Sequence, residues 1–192
     1  MSKIAFAHNP DLSNIIISKT DNGQVILQIN SSLTAFQQEV NFINGQGVYK
    51  SPEDFRNLVI KHFNTSFSMI INGNDTLQFK NPKVFLGHET KLVAEITGLP
   101  DSINSIQLKN ELFKDIHRNQ SVVIFLLDGF PKEKFTLNTD NQQEINIALR
   151  NGNWVNSQKS IIDSNPNYLA FLGSLLVLVL IIYLLVNRKF KR

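Results

Sequence analysis

The stretch Phe67-Ser-Met-Ile-Ile-Asn-Gly-Asn-Asp-Thr-Leu-Gln-Phe79 sets apolar residues at every second position on both sides of an Asn-Gly pair. A period of two places Phe67, Met69 and Ile71 on one face of a strand, and Leu77 and Phe79 on one face of the next. Asn72-Gly73 between them predicts a two-residue type I′ turn, which needs positive φ at both central positions. A β-hairpin follows.

The same pattern recurs along the chain. Val25, Leu27 and Ile29 share a face after the turn Asp21-Asn22-Gly23, and Leu92, Ala94 and Ile96 alternate with Lys91, Val93 and Glu95. Ile106 and Leu108 alternate as well. The run Val122 to Leu127 is apolar throughout, which predicts a strand covered on both sides. Asp128-Gly129 turns the chain toward Phe135 and Leu137, and Ile145, Ile147 and Leu149 form a last strand. Eight or nine such strands with frequent turns suggest an antiparallel sandwich.

Two helices interrupt the pattern. Ser51 is a capping residue, Pro52 suits the first helical position, and Glu53 and Asp54 meet the positive end of the helix dipole. Phe55, Leu58, Val59 and Phe63 then form an apolar face. A weaker helix covers Leu33, Phe36 and Val40. The expected fold class is therefore β-rich α+β: an antiparallel β-sandwich-like domain with one or two covering helices, plus one C-terminal transmembrane helix.

That last element is residues 168–186, YLAFLGSLLVLVLIIYLLV, nineteen residues without a charge. At about 1.5 Å per residue they span roughly 28 Å, close to the hydrocarbon thickness of a bilayer. A buried core helix is the alternative, but such helices are usually shorter or keep a polar stripe. Arg188, Lys189, Lys191 and Arg192 follow the run and predict a cytoplasmic C-terminus, with the preceding domain outside. Ala5-Phe6-Ala7 fits a small-x-small cleavage site, so residues 1–7 read as the remnant of a signal peptide and His8 as the first mature residue. The competing arrangement is a tail-anchored protein with a cytoplasmic body, which breaks the positive-inside rule. The organisation is then 8–150 exported domain, 151–167 polar stalk, 168–186 span and 187–192 basic tail. Trp154 in the stalk suits either the membrane interface or packing onto the domain, and packing is the better fit.

Composition excludes several functions. There is no cysteine among the 192 residues, which removes disulfide scaffolds, thiolate metal sites and a Cys nucleophile. The net charge of +3 is concentrated in the tail, so no basic face remains to grip nucleic acid. Motifs of serine hydrolases, zinc proteases, P-loops and dinucleotide folds are all missing. The expectation is a non-enzyme.

The histidines are the remaining chemistry. A mature His8 offers an α-amine and an imidazole, a chelate suited to Cu(II) or Ni(II), and His88 or His117 supplies a further imidazole. The alternative is that these are ordinary turn and surface groups. His62 sits beside the apolar helix face and reads as a surface or partly buried residue. Asp115, His117 and Gln120 admit a catalytic arrangement, against which Asn119-Gln120 before a strand reads as satisfying backbone groups where strands join.

His62-Phe63, Ile71-Asn72-Gly73, Phe85-Leu86-Gly87-His88-Glu89, Val93 to Ile96, Ile106 to Phe113, Gln120 to Val123 and Phe135-Thr136-Leu137 resemble a family of uncharacterised bacterial exported domains. More distantly, Ala7 to Ser13 is similar to the exported amino-terminal part of nickel/cobalt permeases of the HupE/UreJ type. The resemblance implies a periplasmic domain and supplies no reaction. The expected function is that of a membrane-anchored extracytoplasmic binding or accessory domain at the bacterial cytoplasmic membrane, with an envelope or transporter protein as partner. The alternatives are a copper- or nickel-handling domain using His8 and a hydrolase of unrecognised type.

Overall fold

A computed structural model describes residues 11–157. Their order is β1 (Leu12–Lys19), β2 (Val25–Ser32), α1 (Leu33–Asn44), α2 (Pro52–Ser66), β3 (Phe67–Ile71), β4 (Asp75–Thr76), β5 (Gln78–Phe85), β6 (Glu89–Thr97), β7 (Ser105–Asn110), β8 (Gln120–Leu126), β9 (Lys134–Leu137), β10 (Glu144–Arg150) and β11 (Asn153–Asn156). One sheet has the order β5-β6-β2-β1-β8-β9 and the other β11-β10-β7-β3-β4. The protein is β-rich α+β, with two sheets sharing one apolar core.

Alternation fills that core. Ile15 and Ile17 of β1, Leu27 and Ile29 of β2, Leu92 and Ala94 of β6 and Val123 and Phe125 of β8 are buried from one sheet. Met69 and Ile71 of β3, Ile106 and Leu108 of β7 and Ile147 of β10 are buried from the other. Phe63 of α2 touches Phe67 of β3 and Phe79 of β5, one ring from each sheet, both with centroids 5.6 Å away. Helix α2 thus bridges the two sheets at that edge. Phe36 of α1 meets Phe113 of the β7–β8 connection edge-on at 4.9 Å.

The capped helix forms as its sequence requires. Ser51 Oγ accepts a hydrogen bond from the Asp54 amide at 3.1 Å, and Phe55, Val59 and Phe63 are buried. Ser51→Ala should lower stability by about 1 kcal/mol, the usual worth of such a cap. Urea denaturation of the two proteins side by side measures it, and an unchanged midpoint would refute it.

The Asn-Gly turn is also found, with φ of 53° at Asn72 and 80° at Gly73 and the Asn74 amide bonded to Ile71 O at 3.2 Å. Pairing then slips by one, so that Ile71 faces Asp75. The returning arm in this sheet is only two residues long, because the chain crosses to the other sheet. There Phe79 pairs with Ile96 of β6. The Asn72 side chain fixes the turn, donating to Ser102 O at 2.8 Å and accepting from the Asn104 amide at 2.8 Å.

Three expectations are corrected. The sheets are not wholly antiparallel, since β1 pairs with β8 in parallel. Strand β8 is covered on one side only: Val123 and Phe125 are buried, Val122 and Ile124 are half-buried, and Leu126 is 51% exposed. Its outer apolar residues lie along β1, with Ile124 facing Ile16, so apolar neighbours in the sheet account for a run that suggested a second layer. The ordered domain also continues past residue 150. Asn153–Asn156 of the expected stalk form β11, because Trp154 is 6% exposed and packs against Phe125 and Phe130 with centroids at 6.2 and 5.2 Å.

A buried polar chain holds the parallel pair in register. Ser13 of β1 and Ser121 of β8 join Oγ to Oγ at 2.7 Å, and Asn110 of β7 donates to Ser121 Oγ at 3.0 Å, linking the two sheets. Among the described residues no helix is long and apolar enough to cross a membrane. The expected span at 168–186, its basic tail and the remnant at 1–7 lie outside the described residues.

Candidate functional site

Helix α1 starts where Ser32 caps it, its Oγ accepting from the Ala35 amide at 3.1 Å. At 3.6 residues per turn, position 39 falls on the stripe defined by Ala35, Phe36 and Val40. The residue there is Glu39. Its side chain is carried onto the buried face and is 1% exposed.

Opposite lies the β7–β8 connection, which is tightly held. The Glu111 amide bonds to Ser66 O at 2.7 Å, Leu112 and Phe113 are buried, and the Ile116 amide bonds to Phe113 O at 3.2 Å. His62 of α2 reaches across to it. Its Nε2 lies 3.0 Å from Leu112 O, which only accepts, so Nε2 carries the proton and Nδ1 accepts from Ser66 Oγ at 2.9 Å. Burial depresses the His62 pKa, outweighing the stabilising Leu112 carbonyl and Asp115 charge. This is a neutral structural tie, and the residue is half-buried.

Glu39 meets this connection through one oxygen. Oε1 accepts from the Asp115 amide at 3.1 Å, while Oε2 is buried with no hydrogen-bond partner. Burial, seconded by the Asp115 carboxylate, pushes the Glu39 pKa up to about 7, against the pull of the Asp115 and Ile116 amides and of Lys114. A carboxyl held in this way loses or gains its proton near neutrality.

Between α1 and the connection lies a cleft of about 540 Å³. Glu39, Asn41 and Phe42 line it from α1, Asp115, Ile116 and His117 from the connection, and Asp11 from the entry to β1. Asn41 Oδ1 is a second buried acceptor without a partner. Phe42 is 71% exposed and supplies an apolar wall with Ile116.

Of the sequence-predicted residues, His117 lines this cleft and is exposed, whereas His88 lies in the β5–β6 turn and does not line it. His8 lies outside the described residues. Among the described residues no group of three His, Asp or Glu is placed to hold a metal ion. Asp115 and His117 share no hydrogen bond among the described residues. Asn119 and Gln120 serve the backbone: the Asn119 amide group and the Gln120 N–H both donate to Asp11 O, at 3.3 and 2.7 Å. Sequence reasoning passed over Glu39, although its place in the helical frame of Phe36 and Val40 marks it as a carboxylate on an apolar face. No family model matches the chain, and no curated protein matches it either.

Proposed function

We propose that this chain is a single-pass, membrane-anchored domain displayed outside the cytoplasmic membrane of a bacterium, and that it works by binding an envelope protein rather than by catalysis. One observation carries the reading: the cleft beside α1 combines an exposed aromatic wall with unpartnered acceptors, features of a recognition site. Of the groups on the cleft, Asp115 and His117 are both exposed and share no hydrogen bond, so neither orients the other for proton transfer, and the Glu39 carboxylate is engaged by the Asp115 amide rather than by an imidazole. The uncharged run 168–186 and its basic flank support anchoring with the domain outside. Eleven residues separate β11 from that run, enough for at most about 40 Å of extended chain.

A photo-crosslinking amino acid at Phe42, on the cleft, and another at Asn64, exposed on α2, test this in the full chain in cells. The expected result is a discrete adduct with one envelope protein from position 42 and none from position 64. External protease should remove the domain from spheroplasts. A domain that stays protected overturns the topology, and equal adducts from both positions overturn the role of the cleft.

A further inference from the structure

We propose that the cleft between α1 and the β7–β8 connection is a site for a protonated primary alkylamine, with Glu39 Oε2 receiving the ammonium and Phe42 and Ile116 flanking its alkyl stem. This deepens the reading of the cleft as a binding site and rests on it. The chemistry comes from what the cleft lacks. Its two unpartnered buried polar atoms, Glu39 Oε2 and Asn41 Oδ1, are both acceptors, so the complementary ligand is a donor. A buried acceptor left unmatched is unfavourable, and a ligand that supplies the missing bond recovers that loss on binding. A further carboxylate, Asp115, lines the same space and acts on Glu39, which favours a cation over a neutral donor.

The shape of the carboxylate selects among cations. A guanidinium recognises carboxylates through two parallel bonds, and Glu39 has already committed Oε1 to the Asp115 amide. A single open oxygen suits a compact point donor, which is an ammonium. The exposed ring of Phe42 offers a face to the cation or its methylenes. Oε2 has no surface of its own, so the incoming group reaches it only as the side chains over it shift.

Binding then depends on pH, since a neutral Glu39 offers no charge to the ammonium. The titratable or charged groups around Glu39 are Asp115, Lys114 and His117 from the connection and Asp11 ahead of β1; α1 itself carries no other. Raising the pH from 5.5 to 8.5 ionises Glu39 and strengthens binding.

Two sources share this chemistry, a lysine side chain of a partner and a free amine. Titration of the full chain in nonionic detergent with N-acetyl-lysine-N-methylamide represents the first, and with 1,4-diaminobutane the second; pentanol is the neutral control. The readout is the amide shift of Asp115 and Ile116, followed by NMR. Saturable binding of at least one amine at pH 8.5, tenfold or more weaker at pH 5.5, is expected, with none for pentanol. Glu39→Gln should weaken it about ten- to a hundredfold, the worth of one charge-assisted bond. Preference for the lysine derivative assigns a protein partner, and preference for the diamine a free amine. No saturation by either amine, equal response to pentanol, or unchanged binding in Glu39→Gln overturns the proposal. Amine binding without an adduct at position 42 would instead retain the site and dismiss the envelope partner.

Discussion

Trp154→Ala should destabilise the domain by about 3–5 kcal/mol, the range for removing a large buried aromatic. Trp154 belongs to the last described strand, which pairs only with β10 through Leu149 and its neighbours. Edge strands of four residues have little ladder to hold them, so the ring is the main attachment of β11. It sits against Phe125, itself fully buried on β8, and against Phe130 in the β8–β9 connection. The loss therefore opens a cavity where the two sheets meet and frees the strand together. Trp154→Phe separates packing from hydrogen bonding. The indole Nε1 is buried without a partner, so removing it discards an unfavourable group while keeping a ring, and the loss should stay below about 1.5 kcal/mol. Urea denaturation of the full chain in detergent gives both values. Equal losses for the two variants would show that the ring is not what holds β11.

The same residue shows how far sequence carries. Trp154 lies in Asn-Gly-Asn-Trp-Val-Asn, a polar stretch whose one apolar pair is too short for a period, so a strand there is invisible until β10 is present to receive it. By contrast, the capped helix announces itself through local terms alone: Ser51, Pro52, Glu53 and the 55/59/63 spacing need no tertiary partner. Strand β1 carries no such local signal: Ile15-Ile16-Ile17 has no alternation, and its parallel partner β8 lies over a hundred residues away. Val122 to Leu127 misled for a related reason. An apolar run reports apolar surroundings, and cannot tell a covering layer from greasy neighbours within the sheet. At the cleft, local sequence places His117 and Asp115 in one loop but gives no sign that a residue 76 positions earlier, Glu39, lies against that loop's Asp115 amide.

Glu39→Gln should stabilise the domain by about 3 kcal/mol at pH 8 and change little at pH 4, the opposite of what removing a useful carboxylate does. The folded pKa lies near 7 and the unfolded one near 4.5. Between those values the folded state binds more protons than the unfolded, so wild-type stability falls as pH rises from about 4.5 and the loss is complete above about 7. A shift of that size corresponds to the stated energy. Glutamine has no such cost, and its amide oxygen keeps the bond from the Asp115 N–H. His62 works in the other direction. Its folded pKa is below 6.5, so its contribution is present above the unfolded value and is lost as pH falls below it. That term is common to both proteins and cancels in their difference. Denaturation midpoints at pH 4, 6 and 8 isolate Glu39, and a stability difference that does not grow with pH would mean the carboxyl is not buried as a charge. A residue that weakens its own fold near neutrality, while leaving one oxygen unmatched near the Asp115 carboxylate, is hard to account for by stability alone; the amine that would complete it would also offset the penalty.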